Sequence, residues 1–268
     1  VSPGVSSELA VTGLLVSANE DTHPLPPLEV VAGGHPLPTT GSFAAANRAL
    51  ELARSAGPDD FVVFLVSGGG SALLDLPIDP AVTVDEWRLL QRALVASGAP
   101  IERVNAVRMR LSAVKGGRLG AAARNARERR TLFVSDVPGG IESIASGPTV
   151  PCATGRDTLQ RDLDELQLWD ALPATLRARV RAGQIPALPD DDAVTGSAVT
   201  IADERHCRQH AAAALARAGV VVDDMLDVDD LPVQRAAATA LASVERLRVA
   251  NPNRLVAVVT TCLLYTSD

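Results

Sequence analysis

Three stretches carry residue types whose spacing can do chemistry. The first is Ser67-Gly68-Gly69-Gly70-Ser71, which follows the apolar run Phe61–Val66 and precedes Ala72-Leu73-Leu74. Consecutive glycines carry a conformational-entropy penalty, and the usual reason to keep them is close backbone approach to a neighbour or a ligand. At a strand-to-helix turn the ligand is commonly an anion, met by free N–H groups and the positive end of the helix dipole. Ser67 and Ser71 add hydroxyl donors. The alternative is a tight turn with no ligand. The second stretch is Lys115-Gly116-Gly117-Arg118, two glycines between two cations, preceded by Asn105, Arg108 and Ser112 at helical spacing. It reads either as convergent backbone and side-chain donors for an anion or as a solvated helix end whose cations offset the dipole. The third is Ser135-Asp136-Val137-Pro138-Gly139, after a short apolar run. An aspartate at the carboxyl end of a parallel strand stands where open α/β sheets bind ligands, and can hold Mg²⁺ or accept a proton. An Asx-turn is the alternative.

The glycine turn fits no common nucleotide motif. A P-loop needs Gly-Lys-Ser/Thr, and no lysine is near. The dinucleotide fingerprint needs a further glycine where Leu73 stands, and a nucleophile elbow around Ser71 needs glycine at the same place.

The elements that must position these residues follow from periodicity and punctuation. Strands are predicted over Val11–Ser17, Leu28–Ala32, Phe61–Val66, Thr131–Val134, Ala198–Ile201, Val220–Val222 and Leu255–Val259. The run at 61–66 reads as a buried strand of a parallel sheet. Helices are predicted from Phe43 to Ser55 behind a Gly41-Ser42 cap, from Thr83 through Val95 to a stop at Gly98, and over Ile101–Leu111. Others are predicted over 156–182, Asp203–Arg217 and Leu231–Val249, with a proline- and aspartate-rich surface loop over 186–196. Strands alternating with helices give an α/β fold with a mainly parallel sheet and helices on both faces.

Composition narrows the function classes. The 268 residues are 47% hydrophobic and 21% charged, with a net charge of −7. No basic stripe interleaved with aromatics suggests nucleic acid as a partner. No apolar run reaches the ~18–20 residues of a membrane helix. Three scattered cysteines (Cys152, Cys207, Cys262) point to a reducing compartment, and a cytoplasmic location is expected. His206 and His210 are spaced one helical turn apart without a third ligand, and read as a solvated helix face. Lys115 is the only lysine; every other basic residue is arginine.

Taken together the blocks resemble the glycerate 2-kinases of the MOFRL-containing class. The matching pieces are Gly34-His35-Pro36-Leu37-Pro38, Ser67 to Leu74, and Asn105-x-x-Arg108-x-x-Leu111-Ser112-x-x-Lys115-Gly116-Gly117-Arg118-Leu119. Ser135-Asp136-Val137-Pro138-Gly139 and Ile144-Ala145-Ser146-Gly147-Pro148-Thr149 complete them, in the family's order over residues 33–151. The resemblance implies a Rossmann-like domain that phosphorylates D-glycerate with ATP and Mg²⁺. It implies catalytic roles for Lys115, Asp136 and Arg108, with Asp136 also serving the metal. It implies substrate or phosphate binding by His35, Ser67, Gly68, Gly69, Gly70, Ser71, Asn105, Gly116, Gly117, Arg118, Ser146, Gly147 and Thr149. The partners are then glycerate and a nucleotide, and a homodimer is a further expectation.

The chain departs from the family at Thr39, where members carry aspartate, at Gly140-Ile141 for Asp-Asp, and at Ala202-Asp203-Glu204 for Gly-Ser-Asn. Residues 1–259 are expected to be a partial N-terminal domain, 260–268 a non-native tail, and the C-terminal MOFRL domain absent, leaving little activity in the chain by itself. Two rival functions are a hydroxypyruvate reductase and a non-catalytic anion-binding module.

Overall fold

The computed structural model describes residues 10–18, 24–135, 140–152, 158–194, 196–224, 231 and 233–260. They fall into two compact units, Val1–Phe133 with Gly140–Val199, and Val134–Gly139 with Thr200–Asp268.

The first unit begins with β1 (Gly13–Ser17) and β2 (Leu28–Ala32), which pair in parallel with Gly13 opposite Leu28. The loop after β2 leads into α1 (Thr40–Ser55). This helix starts three residues before the predicted Phe43, because Thr39 is the N-cap and Ser42 closes the cap from inside the first turn. The Ser42 hydroxyl accepts from Thr39 N at 3.1 Å and from Gly34 N at 2.9 Å, which ties the loop to the helix.

β3 (Phe61–Val66) and β4 (Glu128–Val134) are parallel, with Phe61 opposite Glu128, in a sheet of order β3-β4-β5, where β5 is Ser197–Ala202. Between them run α2 (Gly70–Leu73), α3 (Val84–Ala96), α4 (Ile101–Leu111) and α5 (Arg118–Ala122). Val62 and Phe64 point inward, onto a cluster built from Ala46, Leu50 and Ala53 of α1 with Val114 and Leu119. The strand is not buried on both sides as its apolar run suggests. Phe61, Val63 and Leu65 are 51, 47 and 77% exposed, because their face is not covered by that cluster. β4 starts at Glu128, three residues before the predicted boundary.

A larger core joins Trp87, Leu90 and Leu94 of α3 and Val104, Val107 and Leu111 of α4 to Leu159 and Leu163 of α6 (Leu159–Glu165) and Leu176 and Val180 of α7 (Ala174–Arg181). The helical material expected over 156–182 is two helices, separated by a left-handed Gln167 (φ 53°) and by Pro173. The stretch expected as a surface loop contains α8 (Asp191–Val194), and buries Leu188 and Val194.

β5 (Ser197–Ala202) leads into the second unit, where α9 (Glu204–Arg217), β6 (Val221–Asp224), α10 (Val233–Ala250) and β7 (Val256–Val259) follow. β6 and β7 pair in parallel, Val221 opposite Val256. The Asp203 carboxylate caps α9 by accepting from His206 N at 2.8 Å. Every strand pair with a described register is parallel, and the molecule is α/β as expected. No described helix is long and apolar enough to cross a membrane.

Candidate functional site

The chain leaves β3 and turns sharply at Gly69, whose φ of 79° an L side chain rarely adopts. The N–H groups of Ala72, Leu73 and Leu74 return to the carbonyls of Gly69 and Gly70. Those of Gly68, Gly69, Gly70 and Ser71 meet no acceptor among the described residues. Adjacent unpaired N–H groups in a turn form a concavity suited to an anionic oxygen. Four residues of α2 are too few for a helix dipole, so the backbone donors carry this argument. A Cβ at Gly69 would stand 3.3 Å from His35 Cδ2, so the imidazole lies beside the turn; a Cβ at Gly70 would stand 2.7 Å from Ala145 Cβ. The Ser67 hydroxyl turns back to its neighbour, donating to Gly68 O at 3.4 Å.

Ser71 is held by a hydroxyl–amide relay. Its Oγ lies 2.9 Å from Ser146 Oγ, and Ser146 donates to Asn105 Oδ1 at 3.0 Å. Ser146 and Asn105 are both buried. The relay sits on an unusual backbone: Ala145, Ser146 and Gly147 have φ of 53, 61 and 58° in succession. Non-glycine residues in this region cost about 1–3 kcal/mol each and persist where surrounding contacts over-determine them.

Those contacts come from residues 116–120, whose N–H groups one of the two sequence readings gave to an anion. Gly116 N donates to Ser146 O at 3.1 Å, Gly117 N to Gly147 O at 2.7 Å, and Gly120 N to Pro148 O at 3.1 Å. The backbone donors are therefore occupied by the 146–148 turn. The two glycines have φ of 59 and 81°, and a Cβ there would stand 2.6 Å from Leu188 Cδ2 and 2.8 Å from Val194 Cγ2. Close packing and backbone handedness require them. Arg118 likewise acts as a tie, donating to the carbonyls of Met109 (3.1 Å), Pro186 (2.9 Å) and Ala187 (3.3 Å). Burial, with repulsion from Arg110, pushes its guanidinium down to about 10. Thr149 is buried and accepts from Thr131 Oγ1 at 3.0 Å, a bond that fastens this turn to β4. A Cβ on Gly147 would stand 2.7 Å from Cys152 Sγ, a packing role again.

The remaining cations meet elsewhere. Lys115 is almost wholly buried and its ammonium pairs with Asp75. Burial pushes the Lys115 amine down, Asp75 opposes that, and Arg108 adds to the lowering. Arg108 Nε donates to Gln91 Oε1 at 2.9 Å, and burial lowers this guanidinium too, against the attraction of Asp75. Asp75, Gln91 and Trp87 escaped the sequence reading. The available signal was a charged residue inside the apolar run Leu73-Leu74-Asp75-Leu76, near a solitary lysine that needed a counter-charge.

α4 joins the two groups through Asn105 and Arg108, whereas Ser112, predicted one turn further on, is the extended residue that caps the helix and reaches Asp75 from there. Asp136 lies outside the described residues, with Val137, Pro138 and Gly139. His206 pairs with Asp203 at 2.6 Å and His210 Nδ1 lies 2.8 Å from His206 O, both on an exposed helix face. Among the described residues no group of three or more His, Cys, Asp or Glu side chains is placed to hold a metal.

Comparisons with known proteins follow from these features. Residues 4–181 match the family described as "Domain of unknown function (DUF4147)". An Agrobacterium vitis protein with the provisional name hydroxypyruvate reductase is 41% identical over 165 residues, 61% of this chain and 42% of its own length. A Pyrococcus horikoshii protein named glycerate 2-kinase is 36% identical over 157 residues, 58% of this chain and 35% of its own. The matched segment thus spans less than half of either relative. The crystal structure of a glycerate kinase from Thermotoga maritima superposes with a TM-score of 0.75 at 25% identity, covering 96% of this chain and 61% of that one.

Proposed function

The chain belongs to the DUF4147 family, and from that premise we propose that it supplies the substrate- and phosphate-binding part of an ATP-dependent glycerate 2-kinase. The observation that carries this reading is the glycine turn. The N–H groups at 68–71 meet no acceptor among the described residues, Gly69 lies beside His35, and Ser71 is tied through Ser146 to Asn105. The shared name and likeness of the kinase relatives support it.

In this reading the turn binds the anionic oxygens of a phosphate or of the glycerate carboxylate. Asn105 and Ser146 hold the turn in shape, and Arg108 and Lys115 offset the charge that develops as the phosphoryl group moves. ATP supplies that group: the glycerate 2-hydroxyl oxygen forms the new bond to phosphorus as the bond to ADP breaks, and the hydroxyl proton leaves to a base. The donors at the turn are all N–H and O–H, which suits an anion and not a cation. Mg²⁺ would fall to Asp136, where it would neutralise phosphate charge. The second domain of the MOFRL class, a homodimer and a cytoplasmic location belong to the same proposal.

The reductase name carried by the Agrobacterium vitis relatives finds little support at the turn, where Leu73 replaces the last glycine of a dinucleotide fingerprint. Calorimetric titration of the purified chain with ATP and with D-glycerate, beside an ADP-release assay, tests the kinase reading. Binding of both is expected. Failure to bind either, or NADH oxidation with hydroxypyruvate, overturns it.

A further inference from the structure

Asp75 is fully buried, and donors from four places converge on its carboxylate. Oδ1 meets Lys115 Nζ, the Ser112 hydroxyl at 2.9 Å and Leu76 N at 3.0 Å. Oδ2 accepts from the Trp87 indole at 2.9 Å. The segment behind the glycine turn is thereby joined to α3, to the end of α4 and to the start of α5.

The charges do not balance. Asp75 pairs with Lys115, while Arg108, close enough to repel the Lys115 ammonium, is bonded to Gln91 and has no carboxylate of its own among the described residues. Donors are in surplus too. Apart from its ion pair, Lys115 Nζ finds no acceptor among the described residues. Gln91 Nε2 finds none either, in a residue only 4% exposed, and the bond from Arg108 to Oε1 is what orients that amide. Buried positive charge with unsatisfied donors is unfavourable unless an anion completes it.

We infer that Asp75 is a positioning residue that keeps the buried Lys115 ammonium charged and aimed, together with Arg108, at an anionic group of the ligand, a phosphate or a carboxylate. The inference rests on the kinase reading of the neighbouring turn. Asp75 itself does not touch the anion; it acts through Lys115, and Gln91 does the same for Arg108.

A single lysine makes the test direct, because lysine labelled at its side-chain carbon and nitrogen gives one signal. In the unmodified chain at neutral pH that signal is expected in the ammonium range, and to shift on saturation with inorganic phosphate or with D-glycerate. Which probe moves it distinguishes the phosphate from the carboxylate. In Asp75→Asn the signal is expected to take the position of a neutral amine, with affinity for the effective probe weakened about ten-fold or more. A purely structural Asp75 would lower the unfolding temperature without changing the lysine's charge or the affinity. Calorimetric binding with an unmoved lysine signal overturns this inference alone. Absence of binding by both probes overturns the kinase reading and this inference with it. If Asp75→Asn does not fold, the shift in the unmodified chain decides.

Discussion

Ser146 does two incompatible-looking things: it occupies a left-handed conformation that disfavours a side chain, yet its side chain is the centre of the relay. Ser146→Ala keeps the strain and removes both hydrogen bonds, leaving buried Asn105 Oδ1 without its donor. A loss of about 1–3 kcal/mol is expected in denaturant unfolding. Ser146→Gly removes the same bonds but relieves the backbone, so it should be the more stable of the two variants by about 1 kcal/mol. Equal stability of Ser146→Ala and the parent would dismiss the relay. The residue scale is also where the sequence is least legible, because the partners lie far along the chain. Gly116 and Gly117 looked like ligand-binding glycines, but their N–H partners lie some thirty residues away, at Ser146 and Gly147. Spacing along a chain cannot reveal such a partner. Asp75 was hidden for the same reason, since a lone aspartate says nothing of the four donors that fold around it.

Elements were far more legible, because their signals are local. β2, β3 and α4 start and end where periodicity puts them, and Thr83 and Glu86 mark the start of α3. Misplacements occurred where tertiary contacts decide: Ser42 reaches back to Gly34, and the break between α6 and α7 serves a shared core. The α3 cap offers a pH test. Hydrogen bonds from the Thr83 backbone and hydroxyl hold the Glu86 carboxyl below its ordinary value. A depressed carboxyl stabilises fully above its unfolded value, and that support is lost as pH falls through the lower folded value. Thr83→Ala should cost about 1 kcal/mol at neutral pH through the lost cap, and Glu86→Gln, which removes the titrating carboxyl that the Thr83 backbone and hydroxyl hold, should flatten the acid limb of the stability curve. An unchanged acid limb in chemical denaturation from pH 6 to 3 would exclude this account.

At the scale of the whole molecule the two units differ in what they bury. The first holds three apolar clusters, the largest built around Trp87, Leu111 and Leu163, whereas the buried residues described in α9 and α10 are Arg208, Ala236 and Ser243. Protection from amide exchange follows buried contacts. Helices α9 and α10 are therefore expected to exchange faster than the helices of residues 84–111, as mass spectrometry of timed deuteration can show; uniform protection across both would contradict it. The exposed face of Phe61, Val63 and Leu65 invites association. Leu65→Thr should reduce light scattering on concentration while leaving the unfolding temperature nearly unchanged.

The solitary lysine has one more consequence. A protease that cuts only after lysine has one target in this chain, the Lys115–Gly116 bond, and that bond lies in the core with its flanking amide fastened to the 146–148 turn. Scission must wait until the first unit opens, so the appearance of two fragments is a clock for that opening. A ligand that fills the site should slow the clock in proportion to its occupancy, giving a binding assay that needs neither label nor turnover.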